Sequence, residues 1–416
     1  MILNRDRATE YMRQCGLDAL VATSPINITY LSDYHLWIDP FFKEYMMRPG
    51  ASSERMQNYA VLPLEGEPAL VISPLLAENA SDLWVRDVHG YGESGLDMSL
   101  RPTSDSDLDR RMHEMLEKSE AASTPTDALA EILKAHGLEN ARIGLEIEGL
   151  ATHHIDEIRE ALPQAAVVDC SNLILLVRMV KSTEELSRLV RAAEISERAA
   201  VASLNDARVG VSMAEIVQQY RIRLAEAGAD VDHFAYGLGG WGIATESSCV
   251  LADGEFRYVD YGCIHKYYYS DSGMTLAMQD LNPEMAGRYS ALRECMDAGI
   301  ETIRPGVKAS TVQHAMQETL GRHGITASFP HGHGIGLEPR DYPIIVPDTK
   351  LNIRDDCVDE PSDLPLEANM VLNLETPLFM GGVGSLHIEE TFLVTPTGCR
   401  SLVEQNRDHP MVPTNA

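Results

Sequence analysis

Hydrophobic and polar positions along the chain follow two regimes that change near residue 172. Before that point, short β-rich runs alternate with helical patterns. An amphipathic RATEYMRQCG is followed by LDALVATS and NYAVLPLEGEPALVISP, and later by RIGLEIEG and AAVVDCSN. Apolar positions every two residues read as strands and every three to four as helices, so residues 1–172 are predicted to be a small α/β domain. The run LLVRMVKSTEE closes it, and Ser182 followed by Glu184 and Glu185 has the composition of a helix start. Residues 173–416 then read as two helices, a β-rich block over about 232–278, two more helices, and a second β-rich block over about 330–396. Helices followed by antiparallel strands, twice over, predict a pseudo-symmetric α+β domain. The acidic stretch 347–363 reads as a surface loop between strands.

Composition narrows the partners. The formal charge of -29 and pI near 4.8 argue against nucleic acid or an anionic membrane, both of which reward basic patches. Seven cysteines lie scattered without a CxxC pair, which suggests neither a disulfide framework nor a zinc knuckle. The charged N-terminal stretch lacks an apolar signal core, and no later run reaches the length of a membrane span. The expectation is a cytoplasmic protein.

The candidate chemistry lies in the two β-rich blocks. In EFRYVDYGCIHKYYYSDSGMTL, a hairpin turning at His265 and Lys266 sets Asp260 directly opposite Asp271. Like charges at opposed positions repel, so a cation between them is the more economical account than a solvated face. Downstream, in MVLNLETPLFMGGVGSLHIEETFLVT, Glu375 and Glu389 flank a turn centred on Gly382. His333, in the turn GHGIG, completes a set of four carboxylates and one imidazole. Such ligands suit Mn²⁺, Co²⁺, Fe²⁺ or Zn²⁺, and five of them can bridge two ions about 3.5 to 4 Å apart.

These segments resemble the pita-bread metallopeptidases, the family that includes aminopeptidase P, prolidase and methionine aminopeptidase, with creatinase as a relative lacking metal. VDYG followed by SDSGMT resembles the two-aspartate hairpin, GHGIGL the metal-histidine turn, and VLNLETP and LHIEETFLVT the two glutamate segments. INITYLS and LLVRMVKSTEELSRLVRAAEIS resemble upstream segments of the creatinase and prolidase group. The resemblance implies a pita-bread catalytic domain behind a creatinase-type N-terminal domain. It also implies two divalent transition-metal ions, manganese first among them, on Asp260, Asp271, His333, Glu375 and Glu389.

The sequence departs from that pattern where family peptidases place further histidines. Ile243, Phe329 and Arg340 stand at the three positions, and Met274 replaces an arginine of the hairpin. His331 and His387 either stand in for the lost histidines, the first in catalysis and the second in substrate binding, or are structural. Arg340 carries a fixed charge and a planar fork suited to a substrate carboxylate or an oxyanion, unless it pairs with Asp341 or Glu338. Glu375 remains available to shuttle a proton.

The function expected is a dinuclear metal-dependent hydrolase, using a metal-bridging hydroxide on a small carboxylate-bearing amide or peptide-like C–N bond. The alternatives are a working Xaa-Pro dipeptidase or aminopeptidase P, a dimethylsulfoniopropionate lyase-like enzyme with Asp341 or Tyr342 as base, and a metal-free creatinase-like hydrolase or scaffold. By the same resemblance the chain is a homodimer acting on a small-molecule or dipeptide-like substrate. Residues 34–49, with Trp37 and Phe41, are the candidate substrate-shaping lid or else an ordinary exposed loop.

Overall fold

The computed structural model describes residues 1–36, 42–93, 95–97, 106–119, 122–246 and 249–414. They form two compact units, Met1–Arg178 with Ile353–Asp359, and Met179–Asn352 with Glu360–Ala416. Trp37 and Phe41 lie outside the described residues.

The first unit is built on a six-stranded mixed sheet of β1 (Ala19–Ala22), β2 (Tyr59–Pro63), β3 (Ala69–Val71), β4 (Asp87–His89), β5 (Arg142–Leu145) and β6 (Ala166–Asp169), in the order β4-β3-β2-β1-β5-β6. Strands β1, β2 and β3 are buried along their whole length and read as continuous apolar runs. The helix Pro125–Ala135, started by a Thr124–Asp127 capping box, buries Leu129, Ile132 and Leu133 against Val21, Val61, Ile143 and Leu145. The stretch expected to be a surface loop is more structured than that. It holds two short strands, β14 (Asn352–Arg354) and β15 (Asp359–Pro361), paired with each other. Asp355 and Asp356 accept backbone N–H bonds from Leu173 and Asp169 of the first unit at 2.9 Å each. The acidity of 347–363 therefore serves partly as backbone capping, which composition alone does not distinguish from solvation.

The second unit carries a ten-stranded sheet. In chain order its main strands are β7 (Asp230–Gly237), β8 (Ile243–Ala244), β9 (Phe256–His265), β10 (Tyr268–Tyr269), β11 (Ser272–Ala277), β12 (His331–Gly334), β13 (Asp341–Ile345), β16 (Val371–Met380), β17 (Gly384–Val394) and β18 (Cys399–Ser401). They assemble as β13-β12-β16-β17-β11-β9-β7-β8, with β10 on β9 and β18 on β17. Helices Thr183–Leu204 and Met213–Glu226 precede one half of this sheet, and Pro283–Thr302 and Ala309–Arg322 the other. Ser182 caps the first of these through a capping box with Glu185. Leu189, Ala192, Ile195 and Ala199 recur at helical spacing on its buried face, the last three in a core with Tyr220, Phe234, Tyr261 and Met274.

A buried ion pair backs the sheet near its centre. Arg407 donates to both carboxylate oxygens of Glu197 at 3.0 and 2.8 Å, and also to the Gly273 carbonyl at 2.9 Å. Burial raises the Glu197 carboxyl, but Arg407 outweighs it and holds the group below its ordinary range. Removing one partner of such a pair strands the other charge in a low-dielectric interior. Arg407→Met is accordingly expected to cost about 3–5 kcal/mol in urea denaturation, and Glu197→Leu in the same chain to restore part of that.

Candidate metal centre

Strand register builds the site as two neighbouring rows on one face of the ten-stranded sheet. The first row runs His331, Glu375, Glu389, Gly273, Asp260, each opposite the next across β12, β16, β17, β11 and β9. Two residues along, the second row holds His333 opposite Asn373, then Thr391, then Asp271 immediately before β11, then Gly262 opposite His233. Alternate residues of a strand share a face, so both rows point the same way. Asp271 is fixed in its row through its own carbonyl, which accepts from Thr391 Oγ1 at 2.8 Å and from Asn373 Nδ2 at 3.0 Å.

The expected pairing of Glu375 with Glu389 is found. The first hairpin differs from expectation: Asp260 lies opposite Gly273, and the register is shifted by two residues. Tyr268 and Tyr269 pair back onto His265 and Ile264, which moves the turn to Lys266 and Tyr267, both with positive φ. A shift of two preserves the face, which is why Asp260 and Asp271 still converge. Gly273 is required where it stands. A Cβ there would sit 2.3 Å from His387 Cδ2 and 2.6 Å from Glu389 Oε2.

Each carboxylate meets a nitrogen base. His233 on β7, which spacing arguments passed over, places Nε2 2.7 Å from Asp260 Oδ1 and 3.5 Å from Asp271 Oδ1, while its Nδ1 lies 2.7 Å from Asp232. Carboxylates on both ring nitrogens outweigh burial and raise its pKa far above the ordinary value. His331 Nδ1 bonds to the Phe329 carbonyl, and its Nε2 lies 2.8 Å from Glu375 Oε1. Burial lowers the His331 pKa, but Glu375 overcomes it and the net shift is upward. Arg340, with a side chain 59% exposed, reaches the same Glu375 oxygen at 3.2 Å. Asp341, named with Glu338 as an alternative partner for Arg340, pairs with Lys181 in a buried contact at 3.2 Å, which also removes Asp341 as a free base.

His387 is fully buried against the Tyr258 ring, with Nε2 2.9 Å from Glu389 Oε2, and burial lowers its pKa to about 4. That environment suits a neutral residue that positions Glu389. Tyr258 donates to Asp260 Oδ2 at 2.6 Å. Burial and three neighbouring carboxylates raise Glu389 well above the carboxylate range, and burial likewise raises Asp260. Asp271 and Glu375 are held low by their histidines despite burial.

The donor set fits divalent metal. His333 is 0% exposed, its Nδ1 donates to the Gly334 carbonyl at 2.9 Å, and its Nε2 has no hydrogen-bond partner. The carbonyl can only accept, so the proton is on Nδ1 and the Nε2 lone pair faces Asp271 Oδ2 at 3.5 Å. A buried lone pair aimed at a carboxylate is satisfied by a cation between them. Two groups of ligand atoms, His233 with Asp260 and Asp271, and Glu375 with His387 and Glu389, each lie within 4.8 Å of one another.

Fold and donor set together are those of a metal-dependent hydrolase with a creatinase-type N-terminal domain. Residues 187–396 match the model of metallopeptidase family M24 and residues 5–180 that of the creatinase/prolidase N-terminal domain, and the chain belongs to that metallopeptidase family. It is 22% identical to an Xaa-Pro dipeptidase of Lactobacillus helveticus, over 99% of each chain. Its fold is similar to that of the dipeptidase PepE from Mycobacterium ulcerans, with TM-score 0.72, 23% identity and 98% and 96% of the two chains covered. The X-Pro aminopeptidase of Thermotoga maritima matches with TM-score 0.72 and 19% identity over 96% and 98%. No described helix is long and apolar enough to cross a membrane.

Gly273→Ala pushes a methyl group into His387 and Glu389. It is expected to weaken divalent-metal binding about 10–100-fold in a chelator competition, the range seen when groups that orient metal ligands are disturbed.

Proposed function

We propose that Asp260, Asp271, His333, Glu375 and Glu389 hold two divalent transition-metal ions, manganese first among the candidates, and that the chain hydrolyses a small, carboxylate-bearing, peptide-like amide. The observation carrying this reading is the pair of adjacent rows that aim four carboxylates and the unpartnered His333 Nε2 at one space. Divalent ions held there would supply Lewis-acid polarisation of a carbonyl and a lowered pKa for water.

The chain's own groups do the rest. Glu375 takes the proton of the attacking water and returns it to the leaving nitrogen. His331, beside the same carboxylate oxygen, supplies positive charge where the missing family histidines would have acted. Arg340 lies at the exposed side of Glu375, and its guanidinium can turn from that oxygen to a substrate carboxylate in a two-point grip. Phe329, half-exposed and stacked on His331 at 5.3 Å, and the exposed Ile243 offer apolar surface in place of proton-transfer groups. A second reading, an Xaa-Pro dipeptidase, is favoured by the name of the Lactobacillus relative and differs only in requiring proline after the scissile bond.

Elemental analysis of protein purified without chelators is expected to find close to two transition-metal ions per chain, lost in Asp271→Ala. Absence of metal from the parent chain would overturn the reading. Dipeptides with and without proline, each beside its C-terminal amide, test the substrate. Arg340→Met is expected to raise KM about 10–100-fold for the free acids and to leave KM for the amides unchanged, as loss of one charge-assisted contact implies. Equal effects on acid and amide would remove Arg340 from substrate binding.

A further inference from the structure

The first unit holds a second group of metal-type donors that the hydrolase reading does not use. The helix Thr152–Ala161 opens with His153 and His154 in its first turn, and its N-cap Ala151 has no side chain to cap it. Facing them is Glu54, near the end of a hairpin closed by Glu44 N–H to the Glu54 carbonyl at 2.9 Å, Tyr45 N–H to the Ser52 carbonyl at 3.0 Å, and Met56 N–H to the Phe42 carbonyl at 3.3 Å. Consecutive helical residues point about 100° apart. Here both imidazoles nevertheless turn to one carboxylate oxygen, with ring centroids 4.2 Å apart. Glu54 Oε2 lies 3.3 Å from His153 Nε2 and 3.6 Å from His154 Nε2, and the three ligand atoms all lie within 4.8 Å of one another.

Proton bookkeeping makes this arrangement informative. The His154 side chain is 10% exposed and its Nδ1 lies 3.3 Å from Glu157 Oε2, one turn along the helix. An ionised carboxylate only accepts, so Nδ1 carries a proton, and in the neutral ring Nε2 presents a lone pair. That lone pair faces Glu54 Oε2, another acceptor. Both atoms are buried, and neither has a hydrogen-bond partner. Two buried acceptors turned toward each other are satisfied by a cation between them, and a carboxylate on the far ring nitrogen is the usual support of a metal-bound histidine.

The spacing selects the ion. Zinc bonds of about 2.0–2.1 Å in a tetrahedron put neighbouring donor atoms about 3.3–3.4 Å apart. The two edges from Glu54 Oε2 to the imidazoles, 3.3 and 3.6 Å, lie close to that. We propose that Glu54, His153 and His154 bind one tetrahedral divalent cation of the zinc class, with Glu157 orienting His154 and a water in the fourth position. The ion ties the 42–56 hairpin to the helix Thr152–Ala161 within the first unit. The 42–56 segment carries the exposed Tyr45, Met46 and Met47 on the short helix Glu44–Met47 and has only the Lys43–Arg55 bridge as strand pairing, so the ion would fix the position of that apolar turn.

The test uses the full chain in an Asp271→Ala background, which disables the centre of the second unit. After chelator treatment and dialysis against zinc, one ion per chain is expected, and it should be lost in both Glu54→Gln and His154→Ala. Cobalt in its place should give the intense visible absorption of a four-coordinate site. Zinc should raise the melting temperature of the parent and leave that of Glu54→Gln unchanged; this near-isosteric variant separates ligand loss from misfolding. Equal zinc content in the parent and Glu54→Gln would overturn the proposal, as would only the weak absorption of six-coordinate cobalt. None of these readouts depends on hydrolysis, so failure of the second unit's metal reading would leave the outcome interpretable.

Discussion

Mutual repulsion of four carboxylates on one face of a sheet is the constraint from which the rest of the second unit follows. Asp260, Asp271, Glu375 and Glu389 are each buried or nearly so, and burial alone would push every one of them toward the protonated form. A chain under selection for stability alone has cheaper residues for four such positions. Positive charge among them removes the conflict, and the surrounding architecture supplies the beginnings of it. His233 reaches the aspartate pair, His331 and Arg340 reach Glu375, and His333 offers a lone pair that only a cation or a proton can satisfy. The glycines follow from the same constraint. Gly273 and Gly262 sit in the two rows, where a Cβ would press on His387 and Glu389 at the first and on His233 and the Ser270 carbonyl at the second.

Convergence of this kind needs strands that cannot slip, because a one-residue slip would send the whole set to the other face. Two kinds of anchor hold the register. Side chains bond the backbone within the rows, as Thr391 and Asn373 do at the Asp271 carbonyl. Behind them, Arg407 binds the Gly273 carbonyl while paired with Glu197, so the tail after the last strand fixes the strand from which Asp271 projects. The metal-type donors and the buried ion pair therefore act on the same short segment, 271–273.

Much of this was legible in the sequence because strand parity is robust. Spacing about Gly382 puts Glu375 opposite Glu389, and the two strands pair in that register. Spacing misregisters the aspartate hairpin by two, yet an even shift leaves the face unchanged, so Asp260 and Asp271 still converge. His233 was not found for a physical reason. It belongs to a separate strand, and β7 meets β9 through a bulge between Val231 and His233, so no count along the chain leads to Asp260. Glu54 meets His153 and His154 only through packing of a hairpin on a helix start, a distance of about a hundred residues in sequence that no periodicity spans. The signal available was the His-His pair itself, next to a helix N-terminus with no capping side chain.

Arg340 shows how one substitution can redirect a retained centre. A histidine at that position would exchange protons near neutrality, whereas a guanidinium stays charged and can only bind. Its pairing with Glu375 has two consequences that pull in opposite directions. It stabilises the ionised carboxylate, which helps hold metal and lowers the basicity needed for a proton shuttle. Yet the side chain is more than half exposed, so the contact is weak enough for a substrate carboxylate to displace it. On binding, Glu375 would lose a neighbouring positive charge and become the stronger base just when a proton has to be taken. On the proposed reading, proton transfer at Glu375 would be coupled to occupancy of a carboxylate subsite at Arg340. A substrate lacking that carboxylate would meet a site still in its less basic state.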